Sequence, residues 1–591
     1  MKTRANEMIT LKGTAASPGV AIGHASIFYD EEQYSIPKYK INATEIKKEI
    51  TRFNTSLVKT KLELRNLRKK LYSMVRDSKL DFFKMHLMVL DDPFLKDNVL
   101  LEITENNKNA EWALYEIMEK YIKSLNLIKD EYLSERSADL YDLAKRIMNN
   151  LLKKRRSSLK VIHPDSIIIA NDLTPADTAD IDKSRVIGFA TNLGGKTSHT
   201  AIVARALAIP AVVGLENITA QIKDNDQIIV DGNNGVVVIN PNETTLKEYK
   251  TAQSIFIRYS EDLKKLTLLD AVTLDNKKFI LAGNIEIREE IDSVISHGGH
   301  GIGLFRTEFL YLNRPALPTE NELFTTFREA VEKTNPYPVV FRTLDVGGDK
   351  IGGSIKMSSE QNPFLGYRAI RFCLENPDIF NAQLRAILRA SHYGNACLMI
   401  PMISSVDEIK KVKEILESQK KHLKSKGEKF KEEIKLGSMI EIPSAAVTID
   451  IIAKEVDFVS IGTNDLVQYT LAVDRNNNKI SYLYEPFHPA VIRLIKQVVE
   501  VCHRHKIKVH VCGELASDPM AALVFSGMGI DELSMSAIAI PEIKKLIRSV
   551  HYSEVNLMAG VLKMETALEI KNAIHQFIVE KTPEYVYKKV V

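Results

Sequence analysis

The spacing of apolar and polar residues differs from one stretch of the chain to the next and so divides the chain into segments. Short apolar runs broken by Gly and Pro, which are typical of strands, occupy about the first 30 residues. From residue 43 to residue 154, leucines recur at helical spacing on charged segments, and this pattern predicts an all-helical stretch. Strand-like runs then return at residues 166–170, 186–190, 211–214, 228–232 and 236–239. We therefore expect one small α/β domain that a helical insertion interrupts.

The C-terminal part of the chain repeats one pattern. Residues 243–269 form a charged helical pattern without strand signals, which predicts a linker helix. Beyond residue 272, eight short apolar runs alternate with helical stretches, at 279–282, 302–305, 339–341, 398–400, 438–440, 458–461, 509–511 and 533–535. Such βα units predict a (β/α)8 TIM barrel, whose active site lies at the carboxyl ends of its strands. The predicted domains are 1–35 with 155–245 (α/β), 36–154 (helical insertion), 246–270 (linker helix) and 271–591 (barrel).

Composition narrows the range of partners. The 591 residues are 45% hydrophobic, which suffices for several cores, and 80 Lys and Arg against 76 Asp and Glu leave a formal net charge of +4. So balanced a charge argues against a nucleic-acid partner or a membrane surface that is chosen by bulk charge. Because no run of about 18 apolar residues occurs, we expect a cytoplasmic chain without membrane insertion. The four cysteines lack metal-ligand spacing, which argues against a disulfide framework.

A glycine-rich turn leads into a helix at His199. Gly194 and Gly195 form a bare turn, Ser198 is a good helix cap, and apolar residues then recur at helical spacing. Unpaired N–H groups and the helix dipole stabilise an anion at such a helix start, so a phosphate is the expected ligand. An imidazole placed there is a nucleophile that can carry the phosphate covalently. Taken alone, a histidine at this position more often caps or packs.

Thr174 lies between two predicted strands of the α/β domain. It precedes Pro175, and Pro at the first helical position after Thr is a signal for a helix start. Its hydroxyl either caps that helix or lies beside the phosphate site, and local chemistry does not decide between the two.

Charged and polar residues follow successive predicted strands of the barrel. Strand-end side chains of a barrel converge on one mouth, so we expect one site. Its arginines offer the bidentate geometry that suits phosphate and carboxylate, and its carboxylates are the hard oxygen ligands that Mg²⁺ prefers. The arginines are Arg306, Arg342, Arg368 and Arg475, the carboxylates are Glu441 and Asp465, and Lys350, Asn464 and Cys512 lie among them. The site therefore suits an anion that carries both a phosphate and a carboxylate.

Cys512 follows the seventh predicted strand. An unperturbed thiol has a pKa of about 8.5, so it stays mostly protonated near neutrality while remaining a competent acid. The alternative is a small buried hydrophobe, which is the commoner role of a cysteine.

These segments closely resemble the phosphoenolpyruvate-utilising enzymes, and the resemblance covers the chain nearly end to end. The phosphohistidine signature of that family resembles Gly194–Ala201 with the residues that follow it. The barrel segments that carry the resemblance are Gly303–Leu310, Arg342–Lys350, Asn362–Ala369, Ile461–Leu466 and Cys512–Ala516.

The resemblance implies a phosphotransfer reaction. His199 would accept the phosphoryl group of phosphoenolpyruvate, releasing pyruvate, and would pass it to a histidine of the phosphocarrier protein HPr, the first step of the sugar phosphotransferase system. Cys512 would protonate the product, and Glu441 with Asp465 would bind Mg²⁺. The residues implied to bind phosphoenolpyruvate are Arg306, Arg342, Lys350, Arg368, Asn464, Asp465 and Arg475, and those implied to support His199 are Thr174, Gly194 and Gly195.

The resemblance also implies that the helical insertion docks HPr and that the barrel forms a homodimer. Residues 79–93, around His86, are less acidic than a surface for a basic carrier would require, which leaves the carrier contacts open. A dikinase or phosphoenolpyruvate synthase would need a further nucleotide-binding domain, for which no segment is left over. A non-catalytic regulator is disfavoured because the anion and metal residues are all present.

Overall fold

The computed structural model describes residues 8–28, 36–74, 89–90, 92–126, 131–152, 163–173, 185–195, 198–207, 209–311, 316–347, 360, 362–475, 477 and 479–582. The chain divides into two compact units, one up to residue 257 and the other from residue 258 onward. Within the described residues, no helix combines the length and the apolar character needed to cross a membrane.

The first unit contains an eight-stranded sheet with the strand order β1-β8-β7-β3-β4-β5-β6-β2. Strands β3, β4, β5 and β6 run parallel, and the outer strands join them antiparallel. All five residues of β4 are buried, as is typical of a central parallel strand covered on both faces. The strands are β1 Ile9–Lys12, β2 Thr14–Ser17, β3 Val20–Phe28, β4 Ser166–Ala170, β5 Val186–Thr191, β6 Ala211–Val213, β7 Gln227–Asp231 and β8 Val236–Ile239. The predicted interrupted α/β fold is thereby confirmed.

In the described parts of the chain between β3 and β4 stand four helices, as the leucine spacing predicts. They are α1 Ile46–Met74, α2 Pro93–Thr104, α3 Ala110–Asn126 and α4 Glu131–Leu152. They enclose a core of their own, in which Phe53, Leu64 and Leu143 are fully buried. Arg52 of α1 forms ion pairs within this bundle, with Glu49 of the same helix and Glu111 of α3.

Three further helices follow β4 among the residues described before the barrel. They are α5 His199–Leu207, α6 Ile218–Gln221 and α7 Glu243–Lys265. Helix α7 is the predicted linker helix, and it includes the boundary between the two units. Tyr249 and Ala252 on its N-terminal part pack against Val20 of the α/β sheet.

The second unit is a closed barrel of eight parallel strands, as predicted. Strand β10 pairs with both β11 and β17, which closes the sheet, and the short strand β9 pairs antiparallel with β10. The strands are β9 Ala271–Val272, β10 Lys278–Ile285, β11 Ile302–Phe305, β12 Val339–Arg342, β13 Ala396–Ile400, β14 Lys435–Ile440, β15 Phe458–Ile461, β16 Lys508–Val511 and β17 Glu532–Met535.

Helices surround this barrel. They are α8 Ile291–Ser296, α9 Glu320–Thr334, α10 Ile370–Glu375, α11 Pro377–Ser391, α12 Val406–Ser425, α13 Pro443–Val447, α14 Ile449–Ile452, α15 Thr463–Leu471, α16 Pro489–Arg504, α17 Pro519–Met528, α18 Ile540–Arg548, α19 Tyr552–Leu557 and α20 Ala567–Lys581. The main core lies between strands and helices. A separate apolar cluster, which includes Leu304, Met399, Met439 and Phe458, fills the inside of the barrel.

Candidate active site

A cavity of about 220 Å³ opens where the barrel strands end. Because each strand contributes the residues just beyond its carboxyl end, side chains that are distant in sequence meet here. The cavity is lined by Leu304, Arg306, Arg342, Asp345, Arg368, Met439, Glu441, Gly462, Asn464, Asp465, Arg475, Cys512, Gly513 and Glu514. The structure thus brings the arginines, carboxylates, amide and thiol singled out in the sequence into one place. Lys350 lies outside the described residues.

A buried ion-pair network holds two of the arginines. Arg342 contacts Glu308 through Nη2 at 2.7 Å and Asp345 through Nη1 at 3.3 Å. Arg368 donates from Nη2 to both carboxylate oxygens of Asp345, at 2.9 and 3.0 Å. Burial by itself lowers the pKa of each guanidinium, but the neighbouring carboxylates more than offset it, so both pKa values are raised and both groups stay charged. The positive charge is therefore fixed in position before any ligand arrives.

Gly347 allows Arg368 to lie against the turn after β12. Its φ of +115° is in the region that favours glycine, and a Cβ there would overlap with the side chain and backbone of Arg368. On its other side, Arg368 donates from Nη1 to Tyr469 Oη at 3.2 Å, and Tyr469 donates in turn to the carbonyl oxygen of Phe364 at 2.6 Å. The guanidinium is thus held from several sides.

Two further arginines lie nearer the cavity rim. Arg306 contacts Glu286 at 2.9 Å, and both side chains are partly exposed. Arg475 Nη1 lies 3.9 Å from Asp465 Oδ1 and, among the described residues, has no hydrogen-bond partner. Buried polar groups normally find partners, so an unsatisfied guanidinium nitrogen facing a cavity suits an anionic ligand.

Glu441 and Asp465 bring two carboxylates to the same wall. Glu441 Oε1 accepts a hydrogen bond from the backbone N–H of Met402 at 2.6 Å. Burial and the nearby charges of Asp465 and Asp345 raise the pKa of Glu441 to about 8. Asp465 Oδ2 lies 3.4 Å from Arg368 Nη2, whereas Asp465 Oδ1 makes no hydrogen bond within the described residues.

These carboxylates fit a magnesium ion whose remaining coordination positions are filled by substrate oxygens and water. Within the described parts of the chain, no three His, Cys, Asp or Glu side chains are grouped as a metal site. Mg²⁺ nevertheless needs only one or two carboxylates when substrate oxygens and water supply its other ligands. The unsatisfied Oδ1 of Asp465 offers one such ligand, and a Cβ at position 462 would crowd Glu441 Oε2, which Gly462 avoids.

Cys512 lies on the cavity wall beside the apolar Leu304 and Met439. Its side chain is buried, and Sγ lies 3.8 Å from the carbonyl oxygen of Ile461. Burial raises the pKa of the thiol to about 11, since a thiolate would be poorly solvated there. The thiol therefore stays protonated at neutral pH.

The structure confirms the helix start at His199. Ser198 caps α5, because its Oγ accepts a hydrogen bond from the backbone N–H of Ala201 at 3.3 Å. Thr200 Oγ1 lies 3.2 Å from Asp172 Oδ1, which fastens the first turn to the loop after β4. Gly194 has a φ of +111°, so the turn depends on glycine there, and Gly195 is followed directly by residues 196–197, which are not described. The side chain of His199, and Thr174 and His86, also lie outside the described residues.

The sequence analysis missed two residues that contact the predicted arginines. Glu286 pairs with Arg306 and follows β10, which runs to Ile285 rather than ending at Ala282 as predicted. A correct strand end would have revealed Glu286 by the same reasoning that identified the other strand-end charges. Tyr469, two turns into α15, carries no comparable signal.

The chain is similar to known proteins over nearly its whole length. Residues 12–136, 162–235 and 260–552 match the N-terminal, mobile and phosphoenolpyruvate-binding domains of phosphoenolpyruvate-utilising enzymes. A phosphoenolpyruvate-protein phosphotransferase of Staphylococcus aureus is 41% identical over 569 residues, covering 96% of this chain and 99% of that relative. The corresponding protein of Haemophilus influenzae is 42% identical over 573 residues, covering 97% and 100%. A solution structure of Enzyme I (nEIt) is 41% identical, covers 42% of this chain and 99% of its own, and has a TM-score of 0.35.

Proposed function

The chain belongs to the phosphoenolpyruvate-protein phosphotransferases among the phosphoenolpyruvate-utilising enzymes, and we propose that it transfers the phosphoryl group through His199. Its activity is the transfer of a phosphoryl group from phosphoenolpyruvate to protein. In our proposal the barrel cavity binds the donor, and His199 at the start of α5 accepts the phosphoryl group. The observation that carries the proposal is the cavity itself, in which four arginines, four carboxylates and a thiol meet at the strand ends.

The cavity offers groups that suit each end of phosphoenolpyruvate. Arg342 and Arg368, which are buried and already paired, are suited to a compact anion such as the phosphate or carboxylate. Arg306, Arg475 and Asn464 would complete the binding, with Lys350 as a further phosphate ligand. The apolar methylene end of the substrate suits Leu304, Met439 and Cys512, which are the apolar and thiol members of the lining.

Enzymes of this family generally depend on Mg²⁺. We propose that Glu441 and Asp465 would hold it together with oxygens of the substrate. When bound, the ion would neutralise charge that develops on those oxygens.

Phosphoryl transfer breaks the bond between phosphorus and the enol oxygen and forms one between phosphorus and a ring nitrogen of His199. The leaving group is the enolate of pyruvate, whose charge the buried arginines stabilise. Cys512 then gives its proton to carbon 3 of the enolate, which yields pyruvate, and the thiolate recovers a proton from water. A buried thiol with a pKa of about 11 is protonated at the working pH and so is ready to act as this acid.

The acceptor in our proposal is the phosphocarrier HPr, docked on the helical insertion between β3 and β4, as the first step of the sugar phosphotransferase system. We also propose the domain limits given above, with 1–35 and 155–245 carrying His199 and 271–591 binding phosphoenolpyruvate. A homodimer through the barrel is supported by apolar side chains that the barrel surface exposes, among them Val447, Ile451, Tyr482 and Leu483. The four buried, unpaired cysteines support a reducing, cytoplasmic location.

Incubation with phosphoenolpyruvate labelled in its phosphate, with and without Mg²⁺, tests the proposal. We expect a labelled protein whose label is stable in alkali and lost in acid, as a phosphorus–nitrogen bond requires, and whose labelled peptide contains His199. Acid-stable label, or label on another residue, would contradict the assignment.

A further inference from the structure

The inside of the barrel is apolar on one side and polar on the other. Leu304, Met399 and Met439 belong to the apolar cluster, whereas Asn284 and Ser534 face each other on the neighbouring strands β10 and β17. A buried polar group costs free energy unless it is hydrogen-bonded, so such a pair beneath an active site calls for an explanation. No role in binding phosphoenolpyruvate accounts for it, because neither residue lines the cavity.

Asn284 and Ser534 form a hydrogen-bonded chain that ends at Cys512. Ser534, which is fully buried, donates from Oγ to Asn284 Oδ1 at 2.6 Å, and Asn284 donates from Nδ2 to the carbonyl oxygen of Cys512 at 2.9 Å. A carbonyl oxygen can only accept, so the amide nitrogen must face it, and Ser534 then donates to the amide oxygen. The orientation of the amide is therefore fixed by its partners at both ends.

The opposite side of the same segment is also held. The backbone N–H of Cys512 donates to Ile461 at 3.2 Å, and that of Glu514 donates to Asn464 Oδ1 at 3.2 Å. A Cβ at position 513 would overlap with Thr463 Oγ1, so the backbone at Gly513 lies directly against the start of α15. Segment 512–514 is thus held by contacts with β15 and α15 on one side and by the hydrogen bond from Asn284 on the other.

We propose that Asn284, oriented by Ser534, is a positioning residue that aims the Cys512 thiol at one face of the enolate. The inference rests on the proposed function, in which the S–H bond breaks as the new C–H bond at carbon 3 forms. Without the hydrogen bond from Asn284, the carbonyl of Cys512 loses its partner on the β10 side, and the segment is held only from the side of β15 and α15. The thiol then no longer approaches carbon 3 from one direction, and solvent competes to protonate either face.

The test uses the full-length protein and four variants. Asn284→Asp keeps the shape but places a carboxylate oxygen against a carbonyl oxygen, Asn284→Ala removes the contact, and Ser534→Ala removes the group that orients the amide. Cys512→Ala reports the loss of the thiol itself. The control is Asn395→Ala, which removes a hydrogen bond from Asn395 Nδ2 to the carbonyl of Pro336 at 2.6 Å, just before β13 and away from the cavity.

The substrate is phosphoenolpyruvate with one tritium at a defined position on carbon 3, turned over in D₂O, and the chirality of the pyruvate methyl group is measured. For both Asn284 variants we expect lost facial selectivity and a kcat about tenfold lower, the effect of one hydrogen bond, with KM for phosphoenolpyruvate within about twofold. Ser534→Ala should show a smaller effect of the same kind, and Asn395→Ala none. Formation of phosphohistidine in a single turnover should persist in every variant.

Three results would overturn the inference in distinguishable ways. If Cys512→Ala loses selectivity while both Asn284 variants keep the parent selectivity and kcat, the thiol is the acid but Asn284 does not position it. If Cys512→Ala keeps the parent selectivity, the thiol is not the acid, and the proposed protonation step falls with the inference. A fall in thermal stability and in substrate affinity with selectivity unchanged would likewise assign Asn284 a structural role.

Discussion

At the residue scale, the proposed nucleophile and the proposed acid lie far apart in the chain. His199 begins helix α5 in the first unit, and Cys512 follows β16 in the second. A helix start supplies N–H groups to a phosphorylated imidazole, whereas a buried strand end keeps a thiol protonated. Each residue can therefore be removed without dismantling the site of the other.

We expect His199→Ala to abolish labelling by phosphoenolpyruvate while leaving phosphoenolpyruvate binding nearly unchanged, because the proposed donor pocket lies in the barrel. Labelling is measured with labelled phosphate and binding by titration calorimetry. His163→Ala is the matched control, since His163 is exposed and belongs to the same unit. Undiminished labelling of His199→Ala would refute the assignment.

The raised pKa of Cys512 predicts how the thiol responds to alkali. Burial raises this pKa to about 11, so the protonated form should persist until the pH approaches that value. The rate of alkylation of Cys512 by iodoacetamide should then rise about tenfold per pH unit from pH 8 to pH 10, because only the thiolate reacts. Mass spectrometry of the peptide gives this rate. A plateau near pH 9 would instead indicate an ordinary thiol.

At the scale of elements, the turns that follow the barrel strands determine where the charged side chains point. The segment after β12 carries Asp345 and then Gly347, whose positive φ brings the chain against Arg368. This contact joins residues 21 positions apart in the sequence and aligns Arg368 with Asp345. The turn, rather than the strand, therefore sets the distance between the two.

Gly347→Ala should disable the donor pocket, and Gly427→Ala should not. Both glycines have positive φ, +115° and +69°, so each substitution carries backbone strain of about 1–3 kcal/mol. Only at Gly347 would the new Cβ overlap with Arg368, whereas nothing lies within 4 Å at Gly427. We expect at least a tenfold loss of phosphoenolpyruvate affinity for Gly347→Ala alone, measured by titration, with both Tm values lowered by a few degrees. Equal affinities would show that this turn does not position Arg368.

The spacing of apolar residues was sufficient to predict the barrel and the interrupted sheet. Buried parallel strands are short continuous apolar runs, whereas apolar residues of helices recur every three or four positions. Strand-end logic also predicted that Arg306, Glu441 and Cys512 face one cavity. It could not reveal that Glu308 lies behind Arg342 rather than in the cavity lining, since a strand-end carboxylate looks the same in either role. Asn284 was missed because β10 continues three residues beyond the end of its apolar run, to Ile285.

The division into two units predicts a division of activity at the scale of the whole molecule. A fragment that ends near residue 250 retains the complete α/β sheet and the helical insertion, but none of the residues that line the barrel cavity. We expect it to exchange phosphate with phosphorylated HPr and to fail with phosphoenolpyruvate. Label transfer in both directions measures this, with the full-length chain as reference. Consumption of phosphoenolpyruvate by the fragment alone would contradict a two-site scheme.

The helical insertion occupies the connection between two neighbouring strands of the sheet, and this position bears on how the protein could acquire a different phosphoryl acceptor. Helices α1–α4 stand in the chain between β3 and β4, which are neighbouring parallel strands with Phe28 opposite Ala170. A connection between such strands must cross over the sheet in any case, and here the crossover has grown into a bundle with its own core. The ends of that bundle are anchored by strands that do not depend on what lies between them. Under the proposed docking of the carrier on these helices, exchanging the crossover for that of a relative should direct the phosphoryl group to a different carrier. The donor and the barrel cavity that binds it would stay the same.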